Sequence, residues 1–376
     1  MKKTLLIAAF SVCSLLTVTG SAKAAEKVSG KYHYEILDNS KKTATLTKVD
    51  APGTDITLPS KVDGYTIVQL GTMNGNDYDF YYAKPEEKRV AIFSVQEAKA
   101  ITKLSLPNKL EKIGVQALRD CSQVKKVSLP SSLTHIGAEA FRDCQSVKSV
   151  TIPKNVKGIG SGAFSRCLGM EKVTFKTSKA KVGSEAFATD DCVYHLDVKG
   201  GKGSHLKKIV MPYNYKGFLK KGAFSGYVGT SFTWRNFNTY NEGFLNGCKT
   251  LKKIVFPKKL KTIDIPRFCL DDSLSKLKSM VIPEGAKIVY IGQQRFGNIK
   301  CLTIKGKNTV LKGDNGMGKN MISVNTVKCK KNSKVWKTMK KYCCPNFAKK
   351  FKEEIETDGF YTKKNVHTKK VKVKKL

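Results

Sequence analysis

The chain has 376 residues, and 40% of them are hydrophobic, which is enough for a continuous core. Lysine and arginine number 69 against 30 acidic residues, giving a net charge of +39 at pH 7, and such a charge favours encounters with polyanions. All but seven of the basic residues are lysines, which argues against finely tuned bidentate recognition, since arginine's planar guanidinium serves that purpose. After the first 24 residues no stretch is apolar enough to cross a bilayer, which excludes a bundle of membrane-spanning helices.

Residues 1–24 have the three parts of a secretory signal peptide. Lys2 and Lys3 precede an apolar run, and Ala22-Lys23-Ala24 forms a small-x-small cleavage site. The sequence therefore predicts that the mature chain is exported. The alternative is an uncleaved anchor helix, but the apolar run from Leu5 to Val18 is shorter than the roughly 20 residues that a crossing helix requires.

Residues 25–52 predict an N-terminal hairpin. Tyr32, Tyr34 and Ile36 alternate with polar residues, and a second apolar set follows at Ala44, Leu46 and Val49. Alternation with period two indicates strands. We expect this hairpin to cap one end of the array that follows, because an open end would expose core and unpaired strand edges.

Residues 53–310 contain a tandem repeat with a period of 23 residues. Each clear unit opens with alternating apolar residues and a proline, then continues with Ile-Gly, with Ala followed by Phe or Leu, and with Cys. The alternation indicates a half-buried strand, the proline ends it, and Gly137 is expected to permit a backbone turn. The clearest units open at Leu104-Ser105-Leu106-Pro107, Val127-Ser128-Leu129-Pro130 and Val150-Thr151-Ile152-Pro153, and the pattern is interrupted at 76–99, 188–205 and 226–243. A fixed period of this length predicts a solenoid, in which each rung buries its apolar residues against its neighbours.

This unit, V-x-I/L-P followed by I-G, A-F and C, resembles the 23-residue leucine-rich repeats of the BspA-like family, which is related to a treponemal surface repeat protein. The resemblance covers about residues 50–310 and is strongest at 101–187. It implies a right-handed solenoid of the α/β type, with one short strand per rung forming a concave parallel sheet and a cap at each end. It also implies a secreted or surface-attached bacterial protein, in a family whose members have been described as adhesins for host matrix proteins, and it supplies no catalytic residues.

The C-terminal region predicts a second cap and a tail. Residues 311–360 include apolar residues at helical spacing, Val335, Trp336, Met339 and Tyr342, which predict a capping helix near 333–343. After Phe360 the chain is rich in lysine. We therefore predict that residues 361–376 form a basic, disordered tail.

The cysteines follow the repeat. Cys121, Cys144 and Cys167 occupy one repeat position, so stacking the rungs places them in one column, where a small apolar thiol suits a tight inward turn. We interpret them as buried free thiols. Disulfides between neighbouring rungs are the alternative, and they require Cα atoms within about 7 Å.

The sequence shows no catalytic constellation and no cofactor or metal site. Cys192, His195 and His205 are a weak metal candidate, since metal sites usually need three or four ligands. Residues 313–319 have the spacing of a phosphate-binding loop, but Asn320 stands where that loop needs Ser or Thr. We therefore expect a protein that is not an enzyme and takes no cofactor.

Strand alternation predicts which side chains leave the core on the concave face. Because Val127 and Leu129 are expected to point inward, Lys126 and Ser128 should point outward. The same positions in other units give a column that is mostly lysine beside one that changes from hydroxyls to valines. The predicted ligand-binding residues are Lys103, Ser105, Lys126, Ser128, Ser149, Thr151, Lys172, Thr174, Lys208 and Lys253. The alternative is a solvated face that only keeps the sheet soluble.

An aromatic stretch in the first interruption is a second candidate contact site. Tyr78, Phe80, Tyr81 and Tyr82 are of the type that dominates binding hot spots. Local packing over the first rung is the alternative explanation.

Together these features predict a secreted or surface-associated binding protein, monomeric and adhesin-like, that recognises an anionic polymer or an acidic protein on the concave face. Candidate partners are host matrix proteins, mucin, glycosaminoglycans and teichoic acids, with no specific nucleic acid. The alternative is a structural or cell-wall-retention protein that binds envelope polyanions non-specifically through its lysine-rich faces and its tail, and peripheral envelope association fits both hypotheses.

Overall fold

The structure is a computed structural model that describes residues 25–50, 53–73, 91–189, 205–220, 222–235, 243–245, 248–265, 274–291, 300–312, 326–337 and 372–376. The elements within these ranges are, in chain order, β1 (Lys27–Ser29), β2 (Tyr32–Asp38), β3 (Thr43–Val49), β4 (Asp55–Thr57), β5 (Lys61–Val62), β6 (Tyr65–Leu70), α1 (Val95–Ala100), β7 (Lys103–Ser105), β8 (Lys112–Ile113), β9 (His135–Ile136), β10 (Ser149–Ile152), β11 (Gly158–Ile159), β12 (Lys172–Phe175), β13 (Lys181–Val182), β14 (Lys208–Val210), β15 (Phe218–Leu219), β16 (Ser231–Thr233), β17 (Lys253–Val255), β18 (Thr262–Ile265), β19 (Ser279–Ile282), β20 (Ile288–Ile291), β21 (Cys301–Ile304), β22 (Val310–Lys312), β23 (Thr326–Cys329) and β24 (Lys372–Lys375).

The rungs stack their strands into two parallel ladders. The first ladder contains the strands that precede the proline position: β4 pairs with β7, β10 with β12 and then β14, β16 with β17, and β19 with β21, β23 and β24. The second ladder contains the short strands at the Ile-Gly position, running from β6 through β8, β9, β11, β13 and β15, with β18, β20 and β22 at the same repeat position further on. Equivalent residues lie side by side, as in Val150↔Val173↔Ile209, so the solenoid predicted from the 23-residue period is confirmed.

Two details of the predicted rung are wrong. Each typical rung has two short strands rather than one, because the Ile-Gly segment also pairs with its neighbours. Helix is minimal in the described residues, where α1 and residues 334–337 are helical, so the α/β description does not fit: the return leg is made of tight turns.

The unit at Lys126–Leu129 was expected to be a strand and is not one, although its side chains alternate as predicted. Val127 is buried and Lys126 and Ser128 are exposed, but no regular strand forms there. The third predicted interruption, 226–243, contains strand β16, which pairs in parallel with β17. Phe232 and Trp234 supply the inward side chains in this stretch, so its described part, residues 226–235, belongs to the array.

The N-terminal strands extend the second ladder. β1, β2 and β3 pair in antiparallel order, and β3 then pairs in parallel with β6. Inside the first predicted interruption, helix α1 begins with a capping box in which Ser94 and Glu97 exchange hydrogen bonds, while Ile92 and Phe93 are buried in the core.

The core is a set of inward columns. Phe141, Phe164, Phe187 and Phe224 stack along the solenoid, with ring centroids 4.8, 5.1 and 5.6 Å apart. Such stacking adds to the hydrophobic burial of each ring. One rung alone could not bury these rings, so the fold depends on the array.

The Ile-Gly glycines serve a purpose different from the predicted one. Gly137 and Gly160 are not in the left-handed region; instead, a Cβ on Gly160 would lie 2.3 Å from the amide nitrogen of Ala138. Glycine is required there because adjacent backbones approach closely. The left-handed turns fall two residues later, at a column that includes Gln116, Glu139 and Glu185.

The C-terminal end also departs from the prediction. Residues 334–337 are helical, Val335 is buried and Trp336 packs against the core, and the rest of the helix predicted near 333–343 lies outside the described residues. The disorder predicted for 361–376 is wrong for its end, because Lys372–Lys375 is a strand that pairs in parallel with β23. Lysine-rich composition suggested disorder, but the backbone can still pair and Val373 still packs inward.

Candidate functional site

The predicted outward residues lie on the solvent face of the first ladder. The exposed residues at the first outward position form what we call the strand column: Lys103, Lys126, Ser149, Lys172, Lys208 and Lys253. Lys126 occupies this position in the rung that forms no strand. The pairings Ser149↔Lys172 and Lys172↔Lys208 place these side chains on adjacent strands, at the roughly 4.8 Å spacing of a ladder.

The neighbouring column is less exposed than its hydroxyls suggested. Ser128 and Thr151 are exposed, whereas Ser105 and Thr174 are half-buried. Toward the C-terminal rungs Val210 and Val255 are half-buried, and Val281 is 42% exposed. The face thus changes from polar to partly apolar along the array.

Most lysines of the strand column have no acidic partner among the described residues. Lys103 is the exception, with its Nζ 2.8 Å from Oδ2 of Asp55. Within the part of the chain that the structure describes, no salt bridge involves Lys126, Lys172, Lys208 or Lys253. Their charge is therefore available to an anion.

A second lysine column runs beside the first and was missed from the sequence. It occupies the position directly before the strand column, and we call it the leading column; its exposed members are Lys125, Lys148, Lys207, Lys252, Lys278 and Lys300. Backbone hydrogen bonds connect it from rung to rung, for example from the amide of Lys300 to the carbonyl of Lys278 at 2.8 Å. Glu171 and Thr230 interrupt it. Strand alternation does not predict this column, because it lies just outside the strands.

A buried ionic network lies at the left-handed turns and was also missed. Glu139 is 1% exposed, and its carboxylate accepts hydrogen bonds from Arg119 at 3.0 Å, Arg142 at 2.6 Å and Gln116 at 3.0 Å. The next rung adds Arg166, whose Nε donates to Asp143 at 2.8 Å. The signal was present as Arg-Asp-Cys in two consecutive units.

This network flanks a small cavity of about 360 Å³ lined by Lys99, Asp120, Ser122, Asp143 and Gln145. Asp143 is held by Arg166, and Asp120 lies 3.8 Å from Arg119. Carboxylates already paired with arginines suit a structural role rather than acid–base chemistry.

The cysteines in the described residues are free thiols, including Cys121, Cys144 and Cys167. Cys144 donates to the carbonyl of Leu118 at 3.4 Å, and Cys167 to that of Phe141 at 3.2 Å. The hydrogen bond with Cys121 and then burial raise the pKa of the Cys144 thiol, and burial raises that of Cys167. Because the thiolate is the reactive form, the raised pKa values of Cys144 and Cys167 favour a packing role for these two buried side chains.

The remaining candidates give no site in the described residues. The aromatic loop Tyr78, Phe80, Tyr81 and Tyr82 and the glycine-rich loop at 313–319 lie outside the described ranges, as do Cys192 and His195. His205 is exposed, with Nδ1 2.9 Å from the carbonyl oxygen of Leu168. Over the described ranges no three His, Cys, Asp or Glu side chains are grouped to hold a metal ion, and no helix has the length and apolar character to cross a membrane.

The rungs stack their short strands into two parallel ladders, joined by tight turns, and each rung points one set of apolar side chains inward. This arrangement defines a solenoid repeat protein. The model of the BspA type leucine rich repeat region matches residues 91–199 and 202–303, in six copies. These segments make up more than half of the chain. The chain therefore belongs to the BspA-type leucine-rich repeat family.

Several solved structures are similar to this chain at low identity. A leucine-rich repeat protein of T. pallidum is 21% identical over 61% of this chain and 82% of that one, with a TM-score of 0.40. A leucine-rich repeat protein from Bacteroides ovatus is 15% identical over 83% and 96%, with a TM-score of 0.33. The pneumococcal vaccine antigen PcpA is 15% identical over 85% and 97%, with a TM-score of 0.33. No curated protein matches significantly, and no ligand or partner follows from these likenesses.

Proposed function

We propose that this chain is a secreted or surface-associated bacterial binding protein, adhesin-like and not an enzyme, which holds an anionic polymer or an acidic protein along the first ladder. The observation that carries the proposal is the pair of exposed lysine columns, one on the first ladder and one directly before its strands. The strand column supplies Lys126, Lys172, Lys208 and Lys253, and the leading column continues the charge through Lys278 and Lys300.

The geometry suits an extended, repetitive ligand. Adjacent strands repeat at about 4.8 Å, so a polymer lying along the array meets an ammonium group at most rungs. Each contact is weak by itself, because a lysine is a flexible point charge. Many contacts in series give affinity that depends strongly on salt.

Candidate ligands are host matrix proteins, mucin, glycosaminoglycans and teichoic acids. Specific recognition of nucleic acid is not part of the proposal, since the signal peptide predicts export and the basic residues are mostly lysines. Half-buried Val210 and Val255 add apolar contact toward the C-terminal rungs, which favours a ligand with some apolar surface there.

The test is capture of ligands from matrix, mucin and envelope extracts at physiological salt. The variant carries Lys126, Lys172, Lys208 and Lys253 each changed to Glu. The matched control changes four exposed lysines near the second ladder, Lys157, Lys216, Lys261 and Lys287, to Glu, so that the total charge change is equal. Ligand lost only with the first variant supports the proposal, and equal loss with both overturns the assignment to the first ladder.

A second candidate function is non-specific retention on envelope polyanions. The observation that favours it is the exposure of lysines on both ladders, since Lys157, Lys216, Lys261 and Lys287 are also exposed. Truncating residues 363–376 separates the two: loss of envelope retention with ligand capture intact would indicate a tethering tail. Loss of all polyanion binding on truncation would instead overturn the first-ladder proposal.

A further inference from the structure

The C-terminal strand is the last strand of the first ladder. β24 pairs in parallel with β23, with Val327 beside Val373, and the amide of Leu376 donates to the carbonyl of Cys329 at 3.1 Å. Beneath it, Val327 and Cys329 are fully buried at 0% exposure. The tail therefore covers the edge of the array.

β24 is built to end the ladder. Lys375 stands beside Cys329 in the register, which is an inward position, yet it is exposed. A charged residue at an inward position prevents a further strand from stacking on an edge. The strand thus closes the ladder and blocks its continuation.

The attachment of this strand is weak. Val373 is the apolar side chain of β24 that packs against the core, and it is only partly buried. On the outward face Lys374 lies directly beside Lys328, and both are exposed. Like charges on adjacent strands oppose pairing, and a strand with few apolar contacts opens readily.

We propose that Lys328 and Lys374 form an anion-binding site at the C-terminal end of the first ladder, and that an anionic polymer bound there holds β24 closed over β23. Sulfate or carboxylate groups between the two ammonium groups replace their repulsion with attraction. The inference rests on the proposed function for the chemistry of the polymer, whereas closure of the strand is a separate property with its own measurement.

Alkylation of the Cys329 thiol measures whether β24 is closed over β23. Cys329 is buried, and it lies beside Lys375 in the pairing of the two strands. The full chain is alkylated with a maleimide in the native state, and modification of Cys329 is followed by peptide mapping. Heparin is the anionic probe and dextran the uncharged one. Removing one like-charge repulsion should change the opening equilibrium of β24 about two- to five-fold. We therefore expect heparin to slow alkylation of Cys329 by that factor, and dextran to leave the alkylation rate unchanged.

Two variants and a truncation sharpen the test. Lys374→Gln should slow the basal rate to a similar extent and remove the effect of heparin, while Lys154→Gln, at an exposed lysine in a distant rung, should behave as the parent. A chain ending at residue 371 should be alkylated fast at Cys329 and be insensitive to heparin, with Cys144 still protected as a sign that the array is folded.

The failures are distinguishable. If heparin binds the parent chain but the rate at Cys329 does not change, the closing strand is overturned and the proposed function stands. If heparin does not bind at all, binding of sulfated polymers on the first ladder is overturned, and the inference is overturned with it. If the truncated chain is alkylated at Cys329 no faster than the parent, β24 does not cover this edge and the inference is wrong.

Discussion

At the scale of single residues, Gly160 lies where two rungs come closest. A Cβ at this position would lie 2.3 Å from the nitrogen of Ala138 and 2.6 Å from the carbonyl carbon of Gly137, and backbone atoms cannot move aside as a flexible side chain can. We expect Gly160→Ala to destabilise the array by about 1–3 kcal/mol, the usual range for overpacking. Urea denaturation measures this, with Ser149→Ala as the exposed control. An unchanged midpoint for Gly160→Ala would refute the close-approach explanation.

Glu139 holds two arginines and a glutamine together across rungs. Replacing it with Gln leaves Arg119 and Arg142 without their shared carboxylate in a region that excludes most water. Breaking a fully buried ion pair costs about 3–5 kcal/mol; since these arginines are 27% and 22% exposed, we expect about 2–3 kcal/mol. The loss should appear in the free energy of unfolding, and a double variant with Arg119→Met should recover part of it. Wild-type stability of Glu139→Gln would contradict a structural role for the network.

His135 gives the array a pH dependence. Burial, and then the charge of Lys157, lower the pKa of its imidazole below 6.5. The folded state then binds fewer protons than the unfolded state, so stability should fall as pH drops below about 6.5. His135→Gln should lose less stability between pH 7.5 and 5.5 than the wild type does. Equal losses in urea denaturation at the two pH values would show that His135 is not the group responsible.

Residues that face inward were predictable and those that join rungs were not. The burial of Val150, Phe164 and Cys167 was predictable, because equivalent residues recur every 23 positions. The ionic network could not be predicted, because its members interact across rungs, as Gln116 does with Glu139. In addition, only the folded rung shows that Gln116 and Glu139 lie in left-handed turns. The repeat indicates that Gly137 must be glycine, but the predicted turn was wrong, because only the neighbouring backbone reveals the close approach.

At the scale of elements, the cysteine column tests how tightly the rungs stack. Cys144 and Cys167 each donate to a carbonyl of the preceding rung and have raised pKa values, so we expect neither to react in the native state. Cys301, which is half-buried, should be alkylated before the buried cysteines of the described residues. Mass spectrometry of peptides from a non-reduced digest provides the readout, and a peptide linked through Cys121 and Cys144 would contradict free thiols.

The elements that could not be predicted from the sequence are too short or too highly charged to show a pattern of alternating apolar residues. Two-residue strands such as β9 and β11 cannot display an alternation, so the second ladder becomes visible only through its pairing. β24 carries lysines at three of its four positions, a composition that indicates a solvated tail, and its pairing depends on the edge that β23 presents. The long first-ladder strands β10 and β12, by contrast, follow the predicted alternation of burial.

At the scale of the whole molecule, the net charge is +39 and exposed lysines lie beside both ladders, so bulk affinity for polyanions alone does not identify a site. What distinguishes the first ladder is order, since the strand and leading columns repeat in register along it. A ligand held by ordered columns loses contacts when the charge of one column is reversed. A ligand held by net charge responds only to the total charge of the protein.

The most direct test of this account is the salt dependence of heparin binding. The slope of log K against log salt concentration counts the ionic contacts, with about one unit per lysine. The variant with Lys126, Lys172, Lys208 and Lys253 changed to Glu should lose about three to four units of slope, and the equally charged second-ladder control should lose less than about one. Equal losses in the two variants would contradict the claim that the first ladder is the binding face.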